Sequence, residues 1–540
     1  MTFLLPLSIC MAASYVLGTA IYNLFFHPLR HVPGPLLSRM STWPSFYHAC
    51  KGDRHIWAWQ QFQIYGRRFR AAPDVVLFNS YDAFDDIYAV KANVKRSGFY
   101  SIWVRNENDV NTLSCTDNKE HMRKRKLLNT TFTERSLRAA EPFMVAHIDR
   151  WNQLQLGTQK NDDEWSSTHD LSHSSASLFF DLLGDLAFGA QFNTKEPGPN
   201  KLKEIPHFME KYMQFLYPIA KSPIMNQILW LKPRGLNAFL EAVTPKGVKA
   251  YFAFLEECVD KRLESEKKRE ITGAVPERPD MFHFLHAAKN PETGGPALSR
   301  HDIIAECNLL IVAATDTTAV STSAFMFFIT HHPRVYEKVV REIRTTFNSA
   351  DEIVQGQLLS SCTYLRACID ETMRLAPSGG TEFPREVLPG GQVIDGDYYP
   401  PGTILGTHNW SLGRQETVYG DSHTFRPERW LVSPPTDSPD STPEPYTVTI
   451  EDVRTLKRQF APFLKGTGRC LGENVAILQL SMCLARTLWR MDVRQAPGLH
   501  VGAGSPEQGW GRSDPNLYIT RDAYITIRDG PMVQFKKRAL

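Results

Sequence analysis

FLKGTGRCLG, Phe463 to Gly472, is the stretch that decides how this 540-residue chain is read. A lone cysteine, Cys470, sits among small residues, with Arg469 directly before it and the amphipathic run ENVAILQLSMCLARTLWRM directly after. Glycine has no Cβ, so Gly466, Gly468 and Gly472 let the backbone pass close to a flat ligand. The run that follows reads as a helix, which places Cys470 near a helix N-terminus. There the dipole and the free N–H groups favour a thiolate.

A thiolate on such a loop can be the single protein ligand of a haem iron. A free buried cysteine beside a turn is the other reading of the same residues. The stretch resembles the haem-binding loop of the cytochrome P-450 monooxygenases, in which a Phe comes seven residues before the Cys, a Gly four before and a Gly two after. Phe463, Gly466 and Gly472 hold those places. The family usually has a basic residue two before the Cys, touching a haem propionate. This chain has Gly468 there, with Arg469 one residue later.

Ser299 followed by Asp302 predicts a helix start of the capping-box kind. It opens an apolar run from Ile303 to about Ile329, ending before Pro333. The centre reads AATDTT, Ala313 to Thr318. An acid beside a hydroxyl inside an apolar helix is costly unless it is solvated or working. Ala313 and Thr317 are four apart and share one face. The stretch resembles the family's oxygen-activation motif, Ala-Gly-x-Asp/Glu-Thr-Thr, with Ala314 in place of the Gly. The resemblance implies that Ala313 leaves room at the haem, that Thr317 hydrogen-bonds the bound oxygen and that Asp316 relays protons. Ala314 distorts less readily than Gly, which bears on the usual helix bulge. The plainer reading is a Thr bonded to its own helix carbonyl and an Asp on the helix surface.

Glu371 and Arg374, three apart in TYLRACIDETMRLAP, resemble the family's Glu-x-x-Arg pair, and Arg429 in FRPERW its third partner. This trio fixes geometry and is not catalytic. Haem propionates need cations. His121 and Arg125 are four apart on the basic run EHMRKRKLL, so both can face one anion. Arg125 matches the family's Trp-x-x-x-Arg, with His121 in the Trp place, and Arg385 in FPREVLPGG matches the Arg at the other propionate. The remaining charges of this run, with Lys465 and Arg469, are expected to form a basic face for an acidic electron donor.

Composition is that of an ordinary globular chain, 42% hydrophobic and 22% charged, and a net charge of +3 is too small to imply a nucleic-acid partner. Nine scattered cysteines without paired spacing point to a reducing compartment. Thr2 to Phe26 holds no charged residue and Arg30 and Arg39 follow it, which reads as a membrane anchor with the body in the cytosol. A cleaved signal peptide is the rival reading. Prolines at 28, 33 and 35 predict a stiff, extended hinge. Helix dominates the rest. Ser97 to Thr116, Ser265 to Asp280 and Ser433 to Ile450 are expected to be loops, and Tyr518 to Lys537 a hairpin turning at Asp529-Gly530.

The resemblance therefore implies a mainly α fold with small β-sheets, the cytochrome P-450 fold, preceded by one N-terminal transmembrane helix. Residues 1–26 are expected to be the anchor, 27–50 the hinge and 51–540 the haem-thiolate monooxygenase domain. Pocket walls fall, by resemblance, on Arg96–Cys115, on helices within Phe208–Ala242, on Leu309–Thr317 and on Ser378–Phe383. Phe99, Tyr100 and Trp103 suit a bulky apolar substrate. Glu382 is out of place there. It either binds a basic nitrogen or hydroxyl of the substrate, or points to the propionate side or to solvent. The texture resembles filamentous-fungal members, some of them benzoate para-hydroxylases and many acting on secondary metabolites. The expected activity is hydroxylation or further oxidation of a terpenoid, polyketide or alkaloid at haem b, with O2 and with electrons from NADPH through a separate reductase. The expected place is the endoplasmic-reticulum membrane, with the catalytic domain on its cytosolic face. A haem-thiolate isomerase or dehydratase, and a non-catalytic haem sensor, are the alternatives. Asp316 and Thr317 argue against the first, the basic face against the second.

Overall fold

The computed structural model describes residues 4–106, 108–157, 163–273, 280–289, 294–433 and 447–539, and helix dominates them. The helices that matter here are α1 (Leu4–Ile21), α2 (Arg54–Tyr65), α3 (Asn118–Leu128), α4 (Leu171–Phe188), α5 (Ile205–Ala220), α6 (Lys246–Thr272), α7 (Arg300–His331), α8 (Thr363–Leu375) and α9 (Glu473–Arg490). Helix α7 is the spine. It starts at a complete capping box: Ser299 Oγ accepts from the Asp302 N–H at 3.1 Å, and Asp302 Oδ2 accepts from the Ser299 N–H at 3.0 Å. It packs along α4, α8 and α9, and Thr318 to Ile329 are buried without a break. No bulge interrupts it at Ala314.

The apolar stretch at the N-terminus, Ala13–Phe26, is shorter than the roughly 20 residues that cross a bilayer. Among the described residues, the helix long and apolar enough to do so is α7, and 67% of its apolar window is buried in the protein core. The proline segment lies against the body. Leu29 and Val32 are fully buried in a small core with Val76, Phe84 and Leu405, and the Arg70 N–H donates to Pro33 O at 2.7 Å. Burying those two aliphatic side chains ties the segment to the body.

Five strands form the main sheet: β1 (Arg68–Ala72), β2 (Val75–Phe78), β3 (Val94–Arg96), β4 (Arg385–Val387) and β5 (Ile404–Thr407), in the order β1-β2-β5-β4-β3. β3 and β4 pair with Arg96 opposite Arg385, which brings two guanidiniums together. β6 (Met491–Gln495), β7 (Thr520–Ala523), β8 (Ile525–Arg528) and β9 (Met532–Lys537) follow.

Three sequence expectations are corrected or narrowed, and one falls mostly outside the described residues. The expected hairpin turns at Tyr524, between β7 and β8, and not at Asp529-Gly530. β9 instead pairs with β6, because its alternate residues Val533 and Phe535 bury completely in the main core. Ser265 to Thr272 is the end of α6, not a loop, since Glu266 is paired with Arg262, Arg269 and His283. Residues 274–279 and 434–446, the bulk of the expected insertion at Ser433–Ile450, lie outside the described residues. Within Ser97–Thr116, Gly98–Trp103 is a short 3-10 helix whose Phe99 and Tyr100 are buried.

Candidate functional site

The Cys470 loop is closed by its own backbone: the Cys470 N–H donates to Phe463 O at 2.8 Å. Phe463 packs against the main core and anchors the loop's start. Gly466 has φ +59°, and a Cβ there would lie 2.0 Å from Tyr88 O, so no other residue fits. Gly472 directly precedes α9, as the sequence predicts for a cysteine near a helix start. The Cys470 thiol is accessible. Burial nevertheless pushes its pKa up, against the Gly472 N–H, Arg125 and Arg469, which pull it down. A group both accessible and desolvated faces an internal cleft. The helix dipole alone therefore does not hold Cys470 as a thiolate, whereas a metal cation at the sulfur would.

Beside the thiol stand three arginines and a neutral histidine, with no anion paired to them among the described residues. His121 and Arg125 come from α3, Arg96 from β3 and Arg385 from β4. His121 is lowered to about 3 by burial and by Arg96, Arg125 and Arg385. Arg96 is lowered to about 10 by burial and by Arg385 and Arg125. Arg385 donates to Tyr100 Oη at 3.2 Å and to the carbonyls of Phe383 and Pro384, and Arg96 to Thr112 O at 3.2 Å. No carboxylate among the described residues pairs with any of these four, and the buried Arg96 Nε and His121 Nε2 have no partner. Such a cluster is stable only opposite a ligand carrying negative charge. An accessible thiol beside it fits a flat metal cofactor with two carboxylates, which is haem.

Gly468 is explained by the same cluster. A Cβ at this position would lie 2.6 Å from Arg385 Nη2. The Arg385 guanidinium therefore occupies the space into which a side chain at 468 would project. Arg469 does not enter the cluster. Its side chain is exposed and bonds Glu473 at 2.8 Å. Arg96, which aligns the opposite strand, is a site residue that sequence reasoning passed over; only its β3–β4 register reveals it.

On α7, Ala313 is exposed within a helix whose next turns are buried, so it opens on the cleft. Thr317, one turn on, donates its hydroxyl to Ala313 O at 2.8 Å, the plainer of the two sequence readings. Asp316 is buried, not on the surface, and its Oδ1 has no partner. Burial and the nearby Glu210 raise its carboxyl to about 7, with Arg528 acting in the opposite sense.

The Glu371 trio is assembled as expected. Arg374 binds it in a bidentate pair at 2.7 and 2.8 Å, and Arg429 at 2.9 Å. Trp430 Nε1 adds a fourth contact at 3.0 Å that the motif did not announce. Burial alone would raise the Glu371 carboxyl, but the two arginines hold it down at about 2.

Glu382 faces neither propionate nor solvent. It is fully enclosed, bidentate with Arg54 at 2.7 and 2.9 Å, bonded to Lys221 at 2.6 Å and to the Thr381 hydroxyl at 2.6 Å. Arg54 lies on α2 and Lys221 just past α5, so no sequence motif joins them. Tyr217 extends the cluster to Asp522 at 2.8 Å. With its oxygens taken by the protein, Glu382 has little left for a substrate. Phe99 packs edge-on or tilted against Tyr100, Trp103, Tyr217 and Tyr524, making an aromatic wall, and Trp103 stacks on Tyr524. The expected basic face is mixed in charge: Arg123 pairs with Glu120, Lys465 with Asp85 and Arg469 with Glu473.

Residues 56–508 match the family model for cytochrome P-450. A cytochrome P-450 monooxygenase of Fusarium equiseti is 31% identical over 530 residues, covering 97% of this chain and 95% of its own length. Another, from Penicillium oxalicum, is 30% identical over 530 residues, with 97% and 93% covered. The trichothecene C-15 hydroxylase of Fusarium sporotrichioides is 28% identical over 503 residues, with 92% and 93% covered.

Proposed function

Because this chain belongs to the cytochrome P-450 family and is a monooxygenase, we propose that it oxidises a bulky apolar secondary metabolite at haem b held by Cys470. The uncompensated cations beside the thiol carry this reading. Cys470 is the iron ligand, and Arg96, His121, Arg125 and Arg385 hold the two propionates. Phe463 and Gly466 shape the loop around it. The haem, when bound, supplies oxygen activation and C–H oxidation.

The chain's own residues do the rest. Ala313, exposed on α7, leaves space that would accommodate the haem and its ligand. Thr317 holds a hydroxyl proton at the cleft, shared with Ala313 O, and a rotation about one side-chain torsion turns it inward. Asp316 holds a proton near neutral pH, where a relay is most effective. Phe99, Trp103 and Tyr524 pack into an apolar wall suited to a ring system. The substrate we propose is a terpenoid, polyketide or alkaloid, and the trichothecene C-15 hydroxylase of Fusarium sporotrichioides supports hydroxylation as the reaction. Electrons come from NADPH through a separate flavoprotein reductase. The exposed Tyr15, Val16, Leu17, Phe25 and Phe26 support a membrane anchor, with the body at the cytosolic face of the endoplasmic reticulum.

The test is product analysis under labelled dioxygen, with a fungal reductase and NADPH, on extracts of the producing organism. One labelled oxygen atom per product molecule is expected. A changed product without label overturns hydroxylation in favour of desaturation, coupling or isomerisation.

A further inference from the structure

A cavity of about 440 Å³ lies between α5, the start of α4 and the β7–β8 hairpin, lined mainly by polar groups that include His207, Glu210, Lys211, Asp522 and Arg528. Such space and such walls hold water. Glu210, on α5, opens on this cavity and meets Arg528 Nη1 at 3.3 Å. Arg528, on β8, is fully buried at its side chain, donates to Ser172 O at 3.1 Å and leaves Nε without a partner. β8 packs on α7, where Asp316 presents its own unpartnered oxygen. Glu210 and Arg528 are the two charged side chains whose fields act on Asp316 among the described residues.

A polar-walled cavity, an ion pair at its inner end and, on the helix against which β8 packs, an unsatisfied buried acid follow one another inward. We propose that this cavity is the entry by which solvent protons reach Asp316, and that the Glu210–Arg528 pair is the gate that positions water for the transfer. Glu210 and Arg528 are positioning residues, and the inference rests on Asp316 acting as the proton relay. Each proton that Asp316 passes inward is replaced by one taken from cavity water, and that water is re-protonated from bulk, so no group is consumed.

The test compares Glu210→Gln, Glu210→Asp and Asp316→Asn in the haem-loaded full chain. It reads the infrared carboxyl band of Asp316, its rate of hydrogen–deuterium exchange, and the fraction of NADPH electrons recovered in product in H2O and D2O. Glu210→Gln should leave the carbon monoxide spectrum intact, shift and slow the Asp316 band, and lower coupling about fivefold. That loss is smaller than the ~10²–10⁴ carried by a positioned acid itself. Glu210→Asp should restore part of the loss. Lys211→Trp, filling the mouth of the cavity without touching the pair, should slow exchange alone. An unchanged band and unchanged coupling in Glu210→Gln, with coupling lost in Asp316→Asn, overturn the gate and spare the relay. Unchanged coupling in Asp316→Asn overturns the relay and the gate with it.

Discussion

Two buried clusters of charge in this molecule look alike by composition and differ in bookkeeping. Around Glu382, Arg54, Lys221 and the Thr381 hydroxyl meet a carboxylate with four close contacts, and Asp522 stands behind Tyr217. Around Cys470, Arg96, His121, Arg125 and Arg385 meet carbonyls, a phenol and one another. The first cluster satisfies itself and joins α2, α5 and the main sheet. The second is incomplete, and an incomplete buried cluster is evidence for a ligand where a complete one is evidence for architecture.

The sharpest way to break that distinction is to remove a carboxylate. Glu371→Gln or Glu382→Gln strands two buried cations and should cost about 3–5 kcal/mol of folding stability. The loss should be the same for haem-free and haem-loaded protein, measured as the unfolding midpoint in denaturant. A stable Glu382→Gln protein with altered substrate affinity would return Glu382 to the substrate site.

Acid should next separate a satisfied buried carboxylate, that of the Glu371 trio, from the incomplete cluster beside Cys470. Glu371 is depressed from 4.5 to about 2, so its contribution is complete above pH 4.5 and is lost as pH falls toward 2. The shift is worth about 3 kcal/mol. His121 is depressed from 6.5 to about 3, so its contribution is complete above pH 6.5 and is lost as pH falls toward 3. Haem should flatten the upper part of the pH–stability curve, because propionates favour the imidazolium, and leave the lower part unchanged. Equal curves with and without haem would separate His121 from the propionates.

Arg385→Ala should weaken haem retention by roughly 10–100-fold, the value of about 1.5–3 kcal/mol for a charged hydrogen bond. It should not lower the unfolding midpoint of the haem-free protein, since one repelling charge is gone. Haem transfer to apomyoglobin measures the first effect; a large drop in haem-free stability would make the cluster architectural.

The smallest effect is expected at Gly468→Ala. Its Cβ displaces the Arg385 guanidinium, at a cost of about 1 kcal/mol. A few-fold faster haem loss is the expected reading, and no change would mean that Arg385 yields freely.

Much of this was legible in linear sequence because it is local. The Cys470 loop, the capping box of α7, the Ala313–Thr317 spacing and the Glu371–Arg374 pair each lie within about ten residues, where helix and turn geometry alone decide what faces what. The misread hairpin shows the limit: Asp529-Gly530 is a sound turn signal, yet burial of Val533 and Phe535 sends β9 to β6 instead. Glu382 shows it again. Its partners are 328 and 161 residues away, and from sequence it read as an acid in an apolar wall.

The sequence by itself determined the fold class, the glycine-rich cysteine loop and the order of the motifs, because each is written in short-range spacing. The tertiary structure decided which charges stay unpaired: Arg96 joining Arg385 across β3 and β4, Arg469 turning out to Glu473, and Glu382 closing on Arg54 and Lys221. Pairing of buried charge depends on strand register and helix packing, which bring distant residues within hydrogen-bond reach, and no spacing rule encodes it.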